Sequence, residues 1–410
     1  MKKVAIISLG YLWFPCESGT SRFFQIAQHF VNRGYEVECI TTSFQHFKKE
    51  PRDQELILKQ GYPFEITFIE APPYKKNVDI RRVLSNRKAA ANLKQYLADH
   101  IQSYDAVYVA IPANNIAAMV TQICRQHQVP VIVDIEDLWP EAMSMVVKSA
   151  FLRKILFSSF ERDAETAYAN ADGVIGTSED YTDRAFKVRK REIPAQTVYV
   201  GCNLEDFDAG AQKYQPEIEK KDGEFWVTYA GSISTSYDIK TLIDAGHELE
   251  QEHVQIQILG TGSLKEELER YSQPMKNIHF WGFTAYPKMA AVLKQSDVVV
   301  NSFVKGAPQS IVNKVGDYLA SGRPMINTLE NPVFCGLVER NDVGTNIEPG
   351  ITEPLVRAIR SYQDDPKLCR RQGQKARKLA ETEFDRKVSY PRIVDMAGQL
   401  IEKTSRKREL

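Results

Sequence analysis

The stretch NKVGDYLASGRPMIN, from Asn313 to Asn327, reads as one helix feeding one buried strand. Asn313 is placed to cap, and Val315, Tyr318 and Leu319 form an apolar stripe at helical spacing. Gly322 ends the helix, Pro324 forbids its continuation, and Met325-Ile326 enter a strand. Lys314 falls in the first turn, where unpaired backbone N–H groups favour an anion. Asp317 lies three residues on, on the same face. A lysine and a carboxylate at a helix start suit a diphosphate together with a sugar hydroxyl. An ordinary surface ion pair at i,i+3 is the plainer alternative.

Working outward, the same grammar recurs along the chain. Val4–Ser8, Tyr35–Thr41, Glu65–Ile69, Ala106–Ala110, Val129–Ile135, Val174–Thr177 and Thr197–Val200 read as strands. Helices are expected between them near Ser21–Arg33, Arg87–His100 and Ile116–His127. Strands alternating with helices imply a parallel sheet covered on both faces, with ligands at the carboxyl ends of the strands. Asp208 to Glu224 is polar and contains KK, Pro and DG, which reads as a linker. Beyond it Trp226–Ala230, Val254–Leu259, Ile278–Phe280, Asp297–Asn301 and Pro324–Asn327 repeat the pattern. The fold class is therefore α/β, with two doubly wound domains. The boundaries are 1–207, a linker at 208–224, 225–385, and a C-terminal segment 386–410. That last segment is expected to hold an amphipathic helix packing back towards the first domain and then a charged, disordered tail, KTSRKREL. Two such domains imply a cleft between them.

Composition excludes several classes. The 410 residues carry 53 Lys+Arg against 53 Asp+Glu, so no global field draws nucleic acid. The six cysteines are scattered without a CxxC pair, which fits reduced thiols in a cytoplasmic protein. The seven histidines show no metal-binding spacing. MKKVAIISLG is too short in its apolar run for a signal peptide and fits a first strand. No stretch approaches a membrane span of ~20 apolar residues.

Five segments in order resemble the retaining GT-B glycosyltransferases of family 4, and among them the bacterial enzymes of capsule, exopolysaccharide and O-antigen synthesis. The opening stretch is similar to the P-x-K-x-x-E-Y-x-A-x-G-x-P pattern, with Val312 for the proline and Asp317 for the glutamate. VYVGCNLEDF (Val198–Phe207) resembles the hinge pattern. YAGSIS (Tyr229–Ser234) resembles the first glycine loop of the donor domain, and ILGTGSLKEEL (Ile258–Leu268) the next strand, turn and helix. NIHFWGF (Asn277–Phe283) resembles the segment lying against the base.

The resemblance implies two Rossmann-like domains facing across a cleft, and a nucleotide-sugar-dependent hexosyltransferase. Its donor would be UDP-, GDP- or dTDP-linked, with no cofactor and no catalytic metal. In the donor domain Gly231, Ser232, Gly260, Gly262, Gly282 and Phe283 would line the nucleotide. Gln309 falls where the family has its first glutamate, and Ser310 and Ile311 follow it towards the phosphates. Lys314 would stabilise the leaving diphosphate and Asp317 would hold the ribose. Many members carry an arginine and a lysine after the Gly231 position. This chain has Ser232 and Tyr237-Asp238 there, so the charge must come from Lys314, helix N-termini, Arg22 or Lys305.

In the first domain Gly19 and Arg22, in PCESGTSRFF, would face donor phosphates and acceptor. A simple turn capped by Ser18 or Thr20 is the plainer alternative. In VDIEDLWPEAM, Glu136 and Asp137 fall at a strand's carboxyl end, where a carboxylate can hold or deprotonate a hydroxyl. Asp137 is the foremost candidate, with Glu136 and Glu141 behind it. An N-cap role is the alternative for Asp137. The basic, apolar-interleaved stretch Pro73–Leu97 and the segment Ser149–Phe160 suit a lipid-diphosphate-linked acceptor and peripheral contact with the inner face of the cell membrane. Solvated helix faces explain them equally. Two other overall readings stay open, a UDP-sugar epimerase on the same fold and a non-catalytic partner subunit.

Overall fold

The computed structural model describes residues 1–76, 79–141, 150–188 and 192–409. The chain folds as two compact units. The first comprises Met1–Val198 with Tyr390–Leu410, and the second Tyr199–Ser389.

The first unit is built on seven strands: β1 (Lys3–Ile7), β2 (Glu36–Thr42), β3 (Glu65–Ile69), β4 (Ala106–Ile111), β5 (Val131–Ile135), β6 (Gly173–Gly176) and β7 (Ala195–Thr197). They lie in the order β3-β2-β1-β4-β5-β6-β7, every pair parallel. Strands β4 and β5 are buried along their whole length, as a sheet covered on both faces requires. Alternate residues serve opposite layers. Ala5, Ile7, Val107 and Val109 meet Leu93, Leu97 and Val120 on one face. Val4, Ile6 and Tyr108 meet Phe24, Ile26, Phe30, Ile393, Met396 and Leu400 on the other.

The second unit has β8 (Phe225–Ala230), β9 (Val254–Leu259), β10 (Ile278–Gly282), β11 (Val298–Asn301), β12 (Met325–Asn327) and β13 (Gly344–Asn346). Their order is β10-β9-β8-β11-β12-β13, again all parallel. Trp226 and Ala230 face one core layer, while Val227 and Tyr229 face the other. Each unit is thus a doubly wound α/β sheet.

Three expectations are corrected. The stretch read as a linker, 208–224, opens inside a helix, Leu204–Tyr214, capped by the Asn203 side chain, and only its second half is irregular. Leu204, Phe207 and Ala211 bury one stripe of that helix in the second unit's core, and the polar residues between them disguised it. The chain passes between units at Val198–Tyr199 and again at Ser389–Tyr390. The basic helix starts at Ile80, not near Arg87, because Asp79 accepts a hydrogen bond from the Arg81 N–H and caps it. The tail expected to be disordered is helical as far as Glu409, in a single element Pro391–Glu409 rich in good helix formers, and Leu410 lies outside the described residues. Of Ser149–Phe160, Ser149 and the side chains of 150–156 fall outside the described residues, as do 142–143 of the VDIEDLWPEAM run.

Candidate functional site

In the second unit the turns after β8, β9 and β10 are stitched side by side. The Gly231 N–H donates to Leu259 O (2.9 Å), Gly260 N–H to Gly282 O (2.8 Å) and Ile233 N–H to Thr261 O (2.9 Å). A β-carbon on Gly260 would lie 1.8 Å from Gly231 O, and one on Gly262 would lie 2.0 Å from Ile233 O. Gly260 (φ 141°) and Gly282 (φ 67°) also hold backbone conformations that side chains disfavour. Five predicted residues, Gly231, Ser232, Gly260, Gly262 and Gly282, therefore form one ledge at the carboxyl end of the sheet. Phe283 follows Gly282 with 82% of its surface exposed, a free ring face beside that ledge.

Lys314 and Asp317 do not pair with each other. The helix carrying them is short, Lys314–Ala320, and the Asn313 side chain makes no capping bond. The Lys314 stem runs past Gly231, where an added β-carbon would lie 3.5 Å from Lys314 Cδ. Its amine ends in a box of rings, 4.4 Å from the centroids of Tyr229 and Tyr237, 4.9 Å from Phe303 and 5.9 Å from Tyr318. The Nζ is enclosed and has no hydrogen-bond partner. Burial pushes its pKa well below that of an ordinary lysine. Two walls are pinned by their own hydroxyls. Tyr229 Oη donates to Ser232 O (2.7 Å), and Tyr318 Oη donates to Ala230 O while accepting from Ala230 N–H (2.9 Å each).

Asp317 instead accepts a hydrogen bond from Tyr286 Oη at 2.8 Å. Burial raises its pKa to about 6, against the opposing effects of that bond and of the Arg386 charge. Gln309, the uncharged residue at the glutamate position, has its Oε1 enclosed without a donor. Ser310 beside it is buried, and Ile311 packs on the core. Lys305 is committed elsewhere, in an exposed pair with Glu348 at 3.0 Å.

In the first unit Gly19 ends a short helix, Pro15–Ser18, with φ 88°. The next helix, Arg22–Asn32, is capped by Ser21, whose Oγ accepts from Phe24 N–H, in place of the expected Ser18 or Thr20. Arg22 was expected to add charge to a phosphate site. It is buried instead. Its Nε lies 3.0 Å from Asp134 Oδ2 and 2.9 Å from Glu136 Oε1, and its guanidinium sits 5.1 Å from the Tyr390 ring centroid. Tyr108 Oη also donates to Asp134, at 2.6 Å. A cation enclosed between two carboxylates is balanced within the fold. Burial, and then the neighbouring Asp134 charge, raise the Glu136 pKa despite Arg22. Glu136 therefore belongs to this buried cluster, and the structure separates it from Asp137.

Asp137 points elsewhere. It accepts from the Trp139 indole N–H (3.3 Å), and burial raises its pKa although that bond and the Leu138 N–H oppose the rise. Trp139 lines an open pocket with Leu9, Tyr11, His46, Tyr74 and Arg82. The pocket sits where β1, β2 and β4 end. Arg82 lies 4.8 Å from the Trp139 ring centroid. His46 hydrogen-bonds Tyr74, and burial, then Arg82 and Lys49, lower its pKa to about 3, so it is neutral. Aromatic faces with a few polar tips suit a sugar ring. Glu141 is held by Arg184 at 2.6 Å. Sequence reasoning missed Tyr11, His46 and Trp139 as a set, as well as the ring box. Their members come from separate segments with no shared motif.

Known proteins share parts of this sequence and its fold. Residues 211–379 match the family described as Glycosyl transferases group 1. They are a glycosyltransferase group 1 domain. The chain is 24% identical over 243 residues to a protein of Escherichia coli K12 bearing the name of a colanic acid biosynthesis glycosyl transferase, WcaI, over 56% of this chain and 57% of that one. It is 22% identical over 222 residues to a protein of Bacillus subtilis 168 bearing the name of a glycosyltransferase, EpsD, over 52% and 57%. The chain thus spans under two thirds of the length of each relative. Among solved structures, sucrose-phosphate synthase from Thermosynechococcus elongatus matches with TM-score 0.69 at 18% identity, over 98% of this chain and 100% of that one. Anabaena HepE in complex with UDP matches with TM-score 0.66 at 16% identity, over 99% and 100%. WaaG, a glycosyltransferase involved in lipopolysaccharide biosynthesis, matches with TM-score 0.63 at 16% identity, over 96% and 99%. The fold is GT-B, with two Rossmann-like halves.

Proposed function

We propose that this protein is a retaining glycosyltransferase that moves a hexose from a nucleotide-sugar to a lipid-linked saccharide in the synthesis of a bacterial surface polysaccharide. The observation that carries the reading is the Lys314 amine. It is enclosed without a hydrogen-bond partner, beside the glycine ledge that ends β8 and β9. A lysine nitrogen left unpaired in a protein interior is strongly disfavoured unless a ligand completes it. The diphosphate of a nucleotide-sugar supplies that partner. Asp317 keeps a carboxylate oxygen for ribose hydroxyls, and Phe283 offers a ring face to a base.

The acceptor belongs to the first unit on this reading. Its sugar ring lies on Trp139 and Tyr74, with the hydroxyl to be glycosylated near Asp137. That hydroxyl forms a bond to the anomeric carbon as the bond to the diphosphate breaks. The leaving diphosphate gathers negative charge, which Lys314 and backbone donors stabilise. The hydroxyl proton passes to the leaving phosphate oxygen or to Asp137. No protein nucleophile and no metal is invoked.

The lipid part of the proposal rests on the helix Ile80–His100. Ile80 is 75% exposed and Leu84 55%, and the exposed Arg81, Arg87 and Lys88 surround them. Basic and apolar side chains on one exposed face suit the cytoplasmic surface of an anionic membrane. Among the described residues no helix is long and apolar enough to cross a membrane.

The test is a thermal-shift screen against UDP, GDP, dTDP, CMP and their sugar conjugates, since a ligand of the folded state raises Tm by mass action. A shift with one nucleotide family identifies the donor. The anomeric configuration of the product, read by NMR, then decides retention. No shift with any of them favours the second reading, a non-catalytic subunit. Arg22 and Lys305, engaged within the protein, and the uncharged Gln309 speak for that alternative.

A further inference from the structure

Among the described residues Lys314 carries the only lysine nitrogen that is buried without a hydrogen-bond partner. Four rings surround it, and they pull in opposite directions to burial. Each ring face favours an ammonium, whose charge lies against the electron-rich π surface. Loss of water from an ammonium outweighs a ring contact, and its N–H groups find no oxygen to replace that water. The groups facing the amine offer no compensating charge. From β8 comes Tyr229, from the following loop Tyr237, from the segment after β11 Phe303, and from its own helix Tyr318. Burial raises the pKa of all three phenols, so they stay neutral. The nearest carboxylate along the helix, Asp317, is bonded to Tyr286 instead.

We propose that a nucleoside diphosphate binding in this unit draws a proton onto Lys314, so that binding is coupled to proton uptake at the amine. This rests on the reading of the second unit as the nucleotide half of a glycosyltransferase. The amine lone pair takes one proton from solvent as the diphosphate arrives, and the resulting ammonium donates to a phosphate oxygen. Departure of the product nucleotide reverses both steps. The box thereby favours a doubly charged phosphate group over a neutral ligand of the same shape, because only the anion stabilises the protonated amine. Asp317 does not mimic the effect. With its pKa raised to about 6, it is already ionised at mildly alkaline pH.

The experiment is calorimetric titration of the full chain with UDP, in buffers of different ionisation enthalpy and over a mildly alkaline range. The expected result is a binding heat that depends on the buffer by a large fraction of one proton. Affinity falls by up to about tenfold per pH unit as pH rises. Lys314→Met, checked for a native melting transition, loses the buffer dependence, while Asp317→Asn keeps it. UDP binding with a buffer-independent heat throughout that range overturns the proposal and leaves the glycosyltransferase reading standing. Failure of UDP and of every other nucleoside diphosphate to bind overturns that reading as well. NMR titration of the Lys314 ε-position in the free protein gives a ligand-independent check. A midpoint at or above the ordinary lysine value overturns the proposal whatever the nucleotide does.

Discussion

Gly260 lies so close beneath Gly231 that a β-carbon added to it would sit 1.8 Å from the Gly231 carbonyl oxygen. The clash is with backbone, which cannot swing aside as a side chain can. Gly260→Ala should therefore part the turns after β8 and β9, with a loss of ~2–4 kcal/mol in urea denaturation. A loss under ~1 kcal/mol would show that the ledge yields, and that glycine is there for another reason.

Arg22→Met gives a second prediction. Asp134 is fully buried, and its compensating cation is Arg22. Removing one partner of such a pair typically costs ~3–5 kcal/mol. Chemical denaturation should show this loss in the variant. Weaker nucleotide binding at unchanged stability would restore Arg22 to the phosphate site.

Asp317 is held in the fold at a cost in stability. Its folded-state pKa, raised to about 6, exceeds the unfolded value of ~3.9, so its ionised form is disfavoured in the fold. The fold suffers no penalty below the unfolded pKa and a growing one as pH climbs through the folded pKa. Asp317→Asn should accordingly raise Tm at neutral pH, by the equivalent of at most ~2–3 kcal/mol, and leave it unchanged in acid. The same variant should bind nucleotide more weakly. A substitution that lowers Tm at neutral pH, or leaves affinity intact, refutes the assignment.

Asp137→Asn should lower kcat sharply with nucleotide affinity preserved, because the residue lies in the first unit beside Trp139. Wild-type turnover in the variant would reduce Asp137 to a partner of the indole.

The exposed face of Ile80, Val83 and Leu84 predicts binding to vesicles rich in phosphatidylglycerol. Binding should weaken with salt. The pair Ile80→Glu and Leu84→Glu should abolish it without lowering Tm, since neither side chain is buried. Undiminished sedimentation of this variant with vesicles would place the membrane contact elsewhere.

Much of the architecture was legible in the chain. VYVAI, within Ala106–Ile111, is an unbroken apolar run, and such runs in alternation with helical stripes announce a parallel sheet. Phe207 was less legible. Its neighbours Glu205, Asp206 and Asp208 gave the segment a polar composition, although every third or fourth residue is buried. The glycine ledge could be anticipated because backbone geometry restricts the residue type. The ring box around Lys314 could not. Tyr229, Tyr237 and Phe303 converge only once β8 and β11 lie side by side. Arg22 misled for the same reason, since its partner Asp134 is 112 residues away.

The chain leaves the first unit at Val198 and re-enters it at Tyr390, and Ile393, Met396 and Leu400 then fill a layer against β1 and β4. The first unit is thus a discontinuous module, and no single cut in the gene separates it intact from the second. A fragment ending near residue 198 would expose that apolar layer and aggregate. A circular permutant, or a design that rejoins the last helix to residue 198 through a new loop, would keep it closed. Any exchange of the first unit for another must move two stretches of coding sequence together, so recombination at one crossover is expected to yield insoluble chimeras.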